Sequence, residues 1–372
     1  MFHVKHRLVV AAWLVGGCLA GTVLAGCDPP PDAIFTAPTV EPIEAGGRFR
    51  ITFNSGPDVV RGFDPGGRLL YRSRGLVPFG EEWALLSVPP DGGTVREEVA
   101  VYRAAVTSPV ANLRFDPTGR TLVLWREPVA DVHGCGDPAP SPPSVVGLTL
   151  YHLPPRDGAP LSSVPARALE LPNVSGAATP TQRVRRTPAE FEATLRGADP
   201  FGPAVVPDGS AAIVSDGDSL WRIALGDPAS PPEFVAVGAF PAVSPDGRTL
   251  AFAEPVGLDS TTTTTVVPRP FVSCVQTTVT ISAAAWQVVL YDLASGGQAV
   301  LAPGLEPHFD ITGARVLVRR DALYWVSRAD GSEEALAGTS GAVAPALSPD
   351  GTRVAFSLGP VATADVYFVR LN

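Results

Sequence analysis

The block Pro241-Ala242-Val243-Ser244-Pro245-Asp246-Gly247-Arg248-Thr249-Leu250-Ala251-Phe252 decides the fold, because related blocks occur along the whole chain. Its Pro-Asp-Gly centre is typical of a tight turn, in which proline presets φ and glycine accepts a positive φ. Alternating apolar residues follow the turn, which predicts a strand with a buried face. The block occurs six times, the other copies being Gly62–Tyr71, Arg114–Leu124, Pro203–Val214, Pro307–Val318 and Pro345–Phe356.

Two more strands follow most of these blocks. After the block at 241–252, for example, come the strand-like run Val289–Leu293, a glycine-containing turn at Ala294–Gly297 and a fourth strand at Gln298–Leu301. Four short strands in each of six repeats predict an all-β fold, a six-bladed β-propeller of four-stranded antiparallel blades.

The two ends of the repeat region complete each other. The last repeat stops after its third strand, at Asp365–Leu371, and Arg48–Phe53 is an alternating strand that precedes the first repeat. We expect these two segments to pair, so that the N-terminal strand completes the last blade and no sheet edge is left exposed at the seam.

The repeats resemble those of a known family. Ser-Pro-Asp-Gly followed by an apolar strand, and then a Leu-Tyr-Asp-Leu strand at Leu290–Leu293, is similar to the TolB-type, WD-like propeller repeat. The resemblance covers residues 48–372. It implies a propeller that presents loops to protein partners.

The N-terminus is typical of an exported protein. Lys5 and Arg7 precede an apolar run of about 17 residues, Leu8–Leu24, and small residues follow it. Leu24-Ala25-Gly26-Cys27 resembles the bacterial lipobox, which implies cleavage after residue 26 and lipid attachment at Cys27. The alternative is an uncleaved anchor helix. With residues 1–26 as signal peptide, we expect a lipid-anchored protein of the cell envelope, on the periplasmic side of the inner or outer membrane or on the cell surface.

Composition narrows the function classes. Residues 27–47 are rich in proline and glycine and predict a flexible tether, so that 48–372 forms the propeller. Loss of Lys5 and Arg7 with the signal takes the net charge from −9 to −11. An acidic protein of this kind is a poor candidate for binding nucleic acid.

Long insertions fall on two kinds of link. Residues 128–145 and 255–285 join second to third strands, and 173–199 joins one blade to the next. Both kinds of link emerge at the same end of a blade, so we expect all three on one face, where binding groups concentrate. The polar run Thr261–Thr265 predicts either a linker or an exposed β-ribbon.

Few residues stand out as binding groups. Cys135 and Cys274 lie in two of these insertions, in an oxidising compartment, and predict a disulfide. The alternatives are two free thiols or a metal site with His133. The cluster Arg183, Arg185 and Arg186 is a candidate anionic-ligand patch, although most such clusters are solvated surface.

No catalytic motif stands out. The chain lacks a Gly-x-Ser-x-Gly nucleophile elbow and a His-Glu-x-x-His pair. We therefore expect a protein that is not an enzyme, needs no cofactor or metal, and binds an envelope protein whose identity is unknown. One alternative is a propeller hydrolase or lactonase with a metal in the central channel. It would need polar side chains at the channel positions, which are mostly apolar here, with His308 as the exception. The other alternative is a sugar-binding propeller.

Overall fold

The protein is described by a computed structural model, in which strands account for most of the described residues. It describes residues 47–52, 57–64, 66–77, 80–93, 95–99, 111–115, 121–126, 148–152, 167–170, 203–215, 219–225, 227, 230–269, 272–360 and 363–371. All of these belong to one compact unit, Ile34–Asn372. Within these ranges no helix is long and apolar enough to cross a bilayer.

The described strands form six four-stranded sheets, and paired strands run antiparallel in each of them. Sheets 1 to 3 follow one another along the chain. Sheet 1 holds β2 (Asp58–Phe63), β3 (Leu69–Val77), β4 (Gly80–Val88) and β5 (Arg96–Val99); sheet 2 holds β6 (Ala111–Phe115), β7 (Thr121–Arg126), β8 (Leu148–His152) and β9 (Arg167–Glu170); sheet 3 holds β10 (Ala204–Val205), β11 (Ala211–Ser215), β12 (Ser219–Ala224) and β13 (Glu233–Val237).

Sheets 4 to 6 repeat the pattern, and the last one takes in the first strand of the chain. Sheet 4 holds β14 (Ala239–Val243), β15 (Thr249–Arg269), β16 (Val272–Asp292) and β17 (Gln298–Pro303); sheet 5 holds β18 (Leu305–Phe309), β19 (Arg315–Arg319), β20 (Leu323–Ser327) and β21 (Glu333–Ala335); sheet 6 holds β22 (Val343–Leu347), β23 (Arg353–Leu358), β24 (Asp365–Arg370) and β1 (Phe49–Arg50). The prediction of an all-β propeller with four-stranded antiparallel blades is confirmed.

The second strand of a sheet buries side chains on both of its faces. In β15, Leu250 and Phe252 pack in a cluster with residues of sheet 3, whereas Ala251, between them, packs with residues of sheet 5. All three are fully buried. Because side chains alternate along a strand, an unbroken apolar run is what a strand between two neighbouring sheets requires. The inner strands of these neighbours also contact each other: β14 contacts β18, and β18 contacts β22.

The N-terminal strand pairs with the last strand, as predicted. Phe49 lies opposite Phe368 and Arg50 opposite Tyr367, and the N–H of Ile51 donates to the carbonyl of Val366 at 2.8 Å. The Phe49 and Phe368 rings stack with their centroids 4.7 Å apart. Side-chain contacts therefore reinforce a strand of only two residues.

An ion pair also lies at the seam between the first and last strands. The Arg50 guanidinium donates to the Asp365 carboxylate at 2.5 Å, and the Thr52 hydroxyl accepts a hydrogen bond from the N–H of Val366 at 2.9 Å. This carboxylate is mostly buried. The chain ends are thus joined by backbone pairing, stacking and charge.

The turns between first and second strands have the geometry that the repeat predicts. The N–H of Gly247 donates to the carbonyl of Ser244 at 2.8 Å, and the φ of Gly247 is +73°. The Ser244 hydroxyl donates to Asp246 at 2.5 Å and accepts from the N–H of Thr249 at 2.9 Å. Ser348 and Asp350 repeat the serine–aspartate bond in sheet 6.

These turns predict a dependence of stability on pH. The hydroxyl of Ser244 and the N–H of Arg248 hold the pKa of Asp246 below its ordinary value of 3.8, and Ser348 and Thr352 act likewise on the pKa of Asp350. A carboxyl whose pKa is lower in the folded state stabilises the fold above its unfolded pKa, and this stabilisation is lost as the pH falls through the folded pKa.

We therefore expect the free energy of unfolding to fall as the pH drops below about 4, with less than about 1 kcal/mol from each exposed turn. Urea titrations between pH 7 and low pH, compared for the wild type and the double variant Asp246→Asn/Asp350→Asn, measure the effect. The double variant should show a shallower acid loss, and identical slopes would contradict this origin.

Candidate interaction face

The sheets have two distinct ends. We call the end with the turns at 64–67, 207–210, 245–248, 310–313 and 349–352 the turn face. We call the opposite end the insertion face; it carries the links from second to third strands and from each fourth strand to the next sheet. In the strand order 128–145 comes between β7 and β8 and 173–199 between β9 and β10, whereas 255–285 lies within β15 and β16 and extends from the insertion face. Residues 128–145 and 173–199 themselves lie outside the described residues.

The insertion at 255–285 is a β-ribbon. β15 and β16 are 21 residues each and pair continuously from Thr249 opposite Asp292 to Arg269 opposite Val272. Pairing with the neighbouring strands stops earlier, at Ala253 for β14 and at Gln287 for β17. Beyond those positions, β15 and β16 pair only with each other among the described strands. Of the two interpretations of Thr261–Thr265, the β-ribbon is therefore confirmed and the linker is wrong.

The register divides the ribbon into two different faces. Residues directly opposite each other in an antiparallel pair lie on the same face, and successive residues alternate between faces. One face, the apolar ribbon face, holds five branched aliphatic residues: Leu258, Val266, Val275, Val279 and Ile281. The other, the threonine ribbon face, holds five threonines: Thr261, Thr263, Thr265, Thr278 and Thr280.

A second, shorter hairpin extends from the insertion face. β3 and β4 pair from Leu69 opposite Val88 to Val77 opposite Gly80, whereas β2 pairs with β3 only as far as Ser73. The sequence interpretation missed this hairpin, because Arg74, Glu81 and Glu82 interrupt the apolar alternation that marks a strand.

The inner strands are bulged where they start at the insertion face. Phe240, Glu306 and Ala344 have φ angles of +56°, +52° and +50°, and the register shifts at each of these positions. A positive φ costs a residue other than glycine roughly 1 kcal/mol or more. Each of the three precedes a proline, and that shared X-Pro pair is the signal by which the sequence could have revealed the bulges.

Glu306 is the charged member of this set, and it joins two sheets. Its side chain is 2% exposed and pairs with Arg319, whose side chain is 13% exposed, at an N–O distance of 2.5 Å. Its other carboxylate oxygen accepts the N–H of Ala344, in β22, at 3.0 Å. The carboxylate thus neutralises a mostly buried guanidinium of its own sheet and holds the first residues of the next.

The structure describes only some of the predicted site residues. Cys27, Cys135 and the cluster Arg183, Arg185 and Arg186 lie outside the described residues. Cys274 lies in β16 opposite Val267, so its expected place in a loop was wrong: it is on the ribbon, near the tip. The disulfide between Cys135 and Cys274 stays a prediction.

His308 lies in β18 opposite Leu317, directly after the bulge of that strand. It is half-buried and has interactions of its own with surrounding groups. Among the described residues no group of three or more histidine, cysteine, aspartate or glutamate side chains is placed to hold a metal ion.

Sequence comparisons do not place the chain in a family. No protein-family model matches it, and no curated protein matches it significantly.

Several solved structures are similar to this chain. TolB from Acinetobacter baumannii superposes with a TM-score of 0.50 at 12% identity, over 83% of this chain and 65% of TolB. A gluconolactonase from Xanthomonas campestris gives 0.46 at 14% identity, over 93% and 96% of the two chains, and an oligogalacturonate lyase from Vibrio parahaemolyticus gives 0.44 at 9%, over 91% and 96%. This chain thus spans just under two thirds of the TolB structure. At such identity the likeness to TolB shows the β-propeller fold alone.

Proposed function

We propose that this protein is a lipid-anchored lipoprotein of the cell envelope, attached through Cys27, whose propeller binds another envelope protein and catalyses no reaction. In this proposal the six sheets are the blades of one closed ring, with β1 completing the last blade. The lipobox supports the anchor, and the TolB-type repeat supports the binding role.

The observation that carries the binding role is the ribbon formed by β15 and β16. An isolated two-stranded hairpin is marginally stable in water. Its apolar ribbon face carries branched aliphatic residues from Leu258 opposite Ala283 to Val266 opposite Val275, and Ser260, Thr262, Thr264 and Thr277 lie between them. Such a face gains stability when another surface packs on it, at roughly 25 cal/mol for each Å² of apolar area buried. A protein partner with an apolar patch fits this requirement.

The buried carboxylate of Glu306 does not need a ligand. Glu306, which lies near the start of the inner strand β18, is committed to Arg319 and to the N–H of Ala344. This pairing supports a binding protein over a hydrolase that uses Glu306 in the channel.

Shortening the ribbon tests the proposal. Residues 257–284 are replaced by Asn-Gly, a two-residue turn suited to joining Val256 to Ala285, which lie opposite each other. We expect proteins crosslinked to the wild type in intact cells to be lost from the shortened variant. The melting temperature should change little, because the removed residues pair only among themselves in the described part of the sheet.

Two single substitutions provide a matched comparison. Val279→Glu places a charge on the apolar ribbon face, and Thr278→Glu places the same charge one residue away on the threonine ribbon face. The first should abolish the crosslinks and the second should preserve them. An unchanged set of partners in the shortened variant, or equal loss from both glutamate variants, would contradict binding through the apolar ribbon face.

A further inference from the structure

The direction of β1 shows from which end the chain joins the propeller. β24 starts at Asp365, after the link that follows β23 on the insertion face, and ends at Arg370 on the turn face. β1 is antiparallel to β24, with Phe49 opposite Phe368 and Arg50 opposite Tyr367. Gly47 and Arg48, which lead into Phe49, are therefore on the side of the turn face.

Contacts around both chain ends agree with this direction. The Arg370 guanidinium lies over the Phe49 ring, 5.0 Å from its centroid, and the N–H of Leu371 donates to the carbonyl of Thr352 in a turn of the turn face. At the start of β2, the N–H of Asp58 donates to the carbonyl of Ala364, in the link on the insertion face. The chain thus joins at the turn face and crosses to the insertion face before β2.

The ribbon leaves the propeller at the opposite end. From Leu258 to Arg269 it adds 12 residues to β15, which is about 40 Å of strand at 3.3 Å per residue. The body of a sheet adds roughly 17–20 Å more, the length of a strand of five or six residues. The ribbon tip is therefore up to about 60 Å from the point where the chain joins, measured along the strands.

The segment between the lipid and β1 is short by comparison. It contains 21 residues, 28–48. As a random coil it would span about 25 Å, and at full extension it could reach roughly 70 Å. A ribbon directed at the bilayer would require this segment to be almost fully extended, at a large entropic cost.

We propose that the turn face is directed toward the anchoring membrane and that the insertion face, with its ribbon, is directed away from it. This rests on the proposed attachment at Cys27. The partner bound by the apolar ribbon face is then a protein that reaches this distance from the lipid surface, in the aqueous envelope or on an opposing structure, and not one confined to the lipid bilayer that holds the anchor.

Energy transfer to the membrane tests the orientation. The lipidated full-length protein is reconstituted in vesicles that carry an acceptor dye on the lipid headgroups, and a donor dye is attached to one clickable amino acid. Ala329 and Asp321 are matched sites, because both are exposed and they flank the same strand, β20, on the turn face and the insertion face respectively. Arg269 reports the ribbon tip.

Transfer should be greatest from Ala329, roughly twofold lower from Asp321 because a strand of this length separates the sites by about 17 Å, and lowest from Arg269. Equal efficiencies, or the reverse order, in vesicles that carry the protein would overturn the orientation and leave the anchor standing. Flotation provides the second reading. If the wild type fails to float with vesicles, or if Cys27→Ala floats equally well, the anchoring itself is wrong and the orientation falls with it.

Discussion

Replacing Glu306 with glutamine is expected to lower the free energy of unfolding by about 3 kcal/mol, because the substitution leaves the Arg319 charge without its carboxylate in a mostly buried site. The glutamine side chain has the same size and retains a carbonyl oxygen, so packing is conserved and the change isolates the charge. The loss should appear as a lower midpoint in urea unfolding at constant slope.

Two further variants separate the charge from other causes. The double variant Glu306→Gln/Arg319→Met removes both charges but keeps an acceptor for the N–H of Ala344, and it should recover much of the lost stability because no buried charge is left without a partner. Glu233→Gln removes one member of an exposed pair, which has an N–O distance of 3.9 Å to Arg222, and should change stability by less than about 0.5 kcal/mol. If Glu306→Gln behaved like Glu233→Gln, the Glu306 charge would not stabilise the mostly buried Arg319 guanidinium as described.

The repeat predicted the sheets because the relevant interactions are local. The Ser244–Asp246 hydrogen bond and the positive φ of Gly247 lie within one turn, and the alternation after it selects the strand period. The seam was also predictable. A last repeat with three strands leaves one place for a fourth, and Phe49 opposite Phe368 occupies it.

The ribbon was only half predictable from sequence. Thr261–Thr265 has no hydrophobic alternation by itself, and its partner strand, residues 276–280, lies across a turn from it. The apolar ribbon face becomes visible only when Val266 is placed opposite Val275 and Thr262 opposite Val279, because each strand alone carries too few apolar residues. Pairing register, which no single segment contains, makes the pattern.

The bulges and Glu306 were missed for a different reason. Glu306 contacts Arg319, which is 13 residues away, and Ala344, which is 38 residues away in the next sheet. A glutamate next to a proline reads as a surface residue in the sequence, because its burial depends on a neighbouring sheet that the local pattern does not specify. The sequence analysis accordingly placed apolar residues and His308 at the channel positions and overlooked this carboxylate.

The glycines before two of the bulges were missed as well, although their role is steric. Gly238 and Gly304 precede the bulges at Phe240 and Glu306 by two residues, with φ angles of +158° and +135°. In sheet 6 the same place is taken by Ala342, which is buried and has no positive φ. Alanine therefore occupies this place where φ is not positive, and glycine occupies it where φ is positive.

Replacing Gly304 with alanine is expected to destabilise the protein by about 2–4 kcal/mol. An added Cβ would lie 2.3 Å from Cγ1 of Val318 and 2.8 Å from the backbone oxygen of Arg319, both closer than real Cβ contacts. Val318 is fully buried and cannot move without opening the core between sheets 4 and 5. The positive φ adds a backbone cost to this clash.

Gly297→Ala is the control for Gly304→Ala. Gly297 lies in the turn before β17, has no positive φ, and its added Cβ would be 3.4 Å from the nearest atom, Oγ of Ser295. This variant should unfold within about 0.5 kcal/mol of the wild type. Thermal and urea unfolding of both variants measure the difference. If the two variants had the same melting temperature and urea midpoint, the inner strand of sheet 5 would not approach β19 as closely as these distances require.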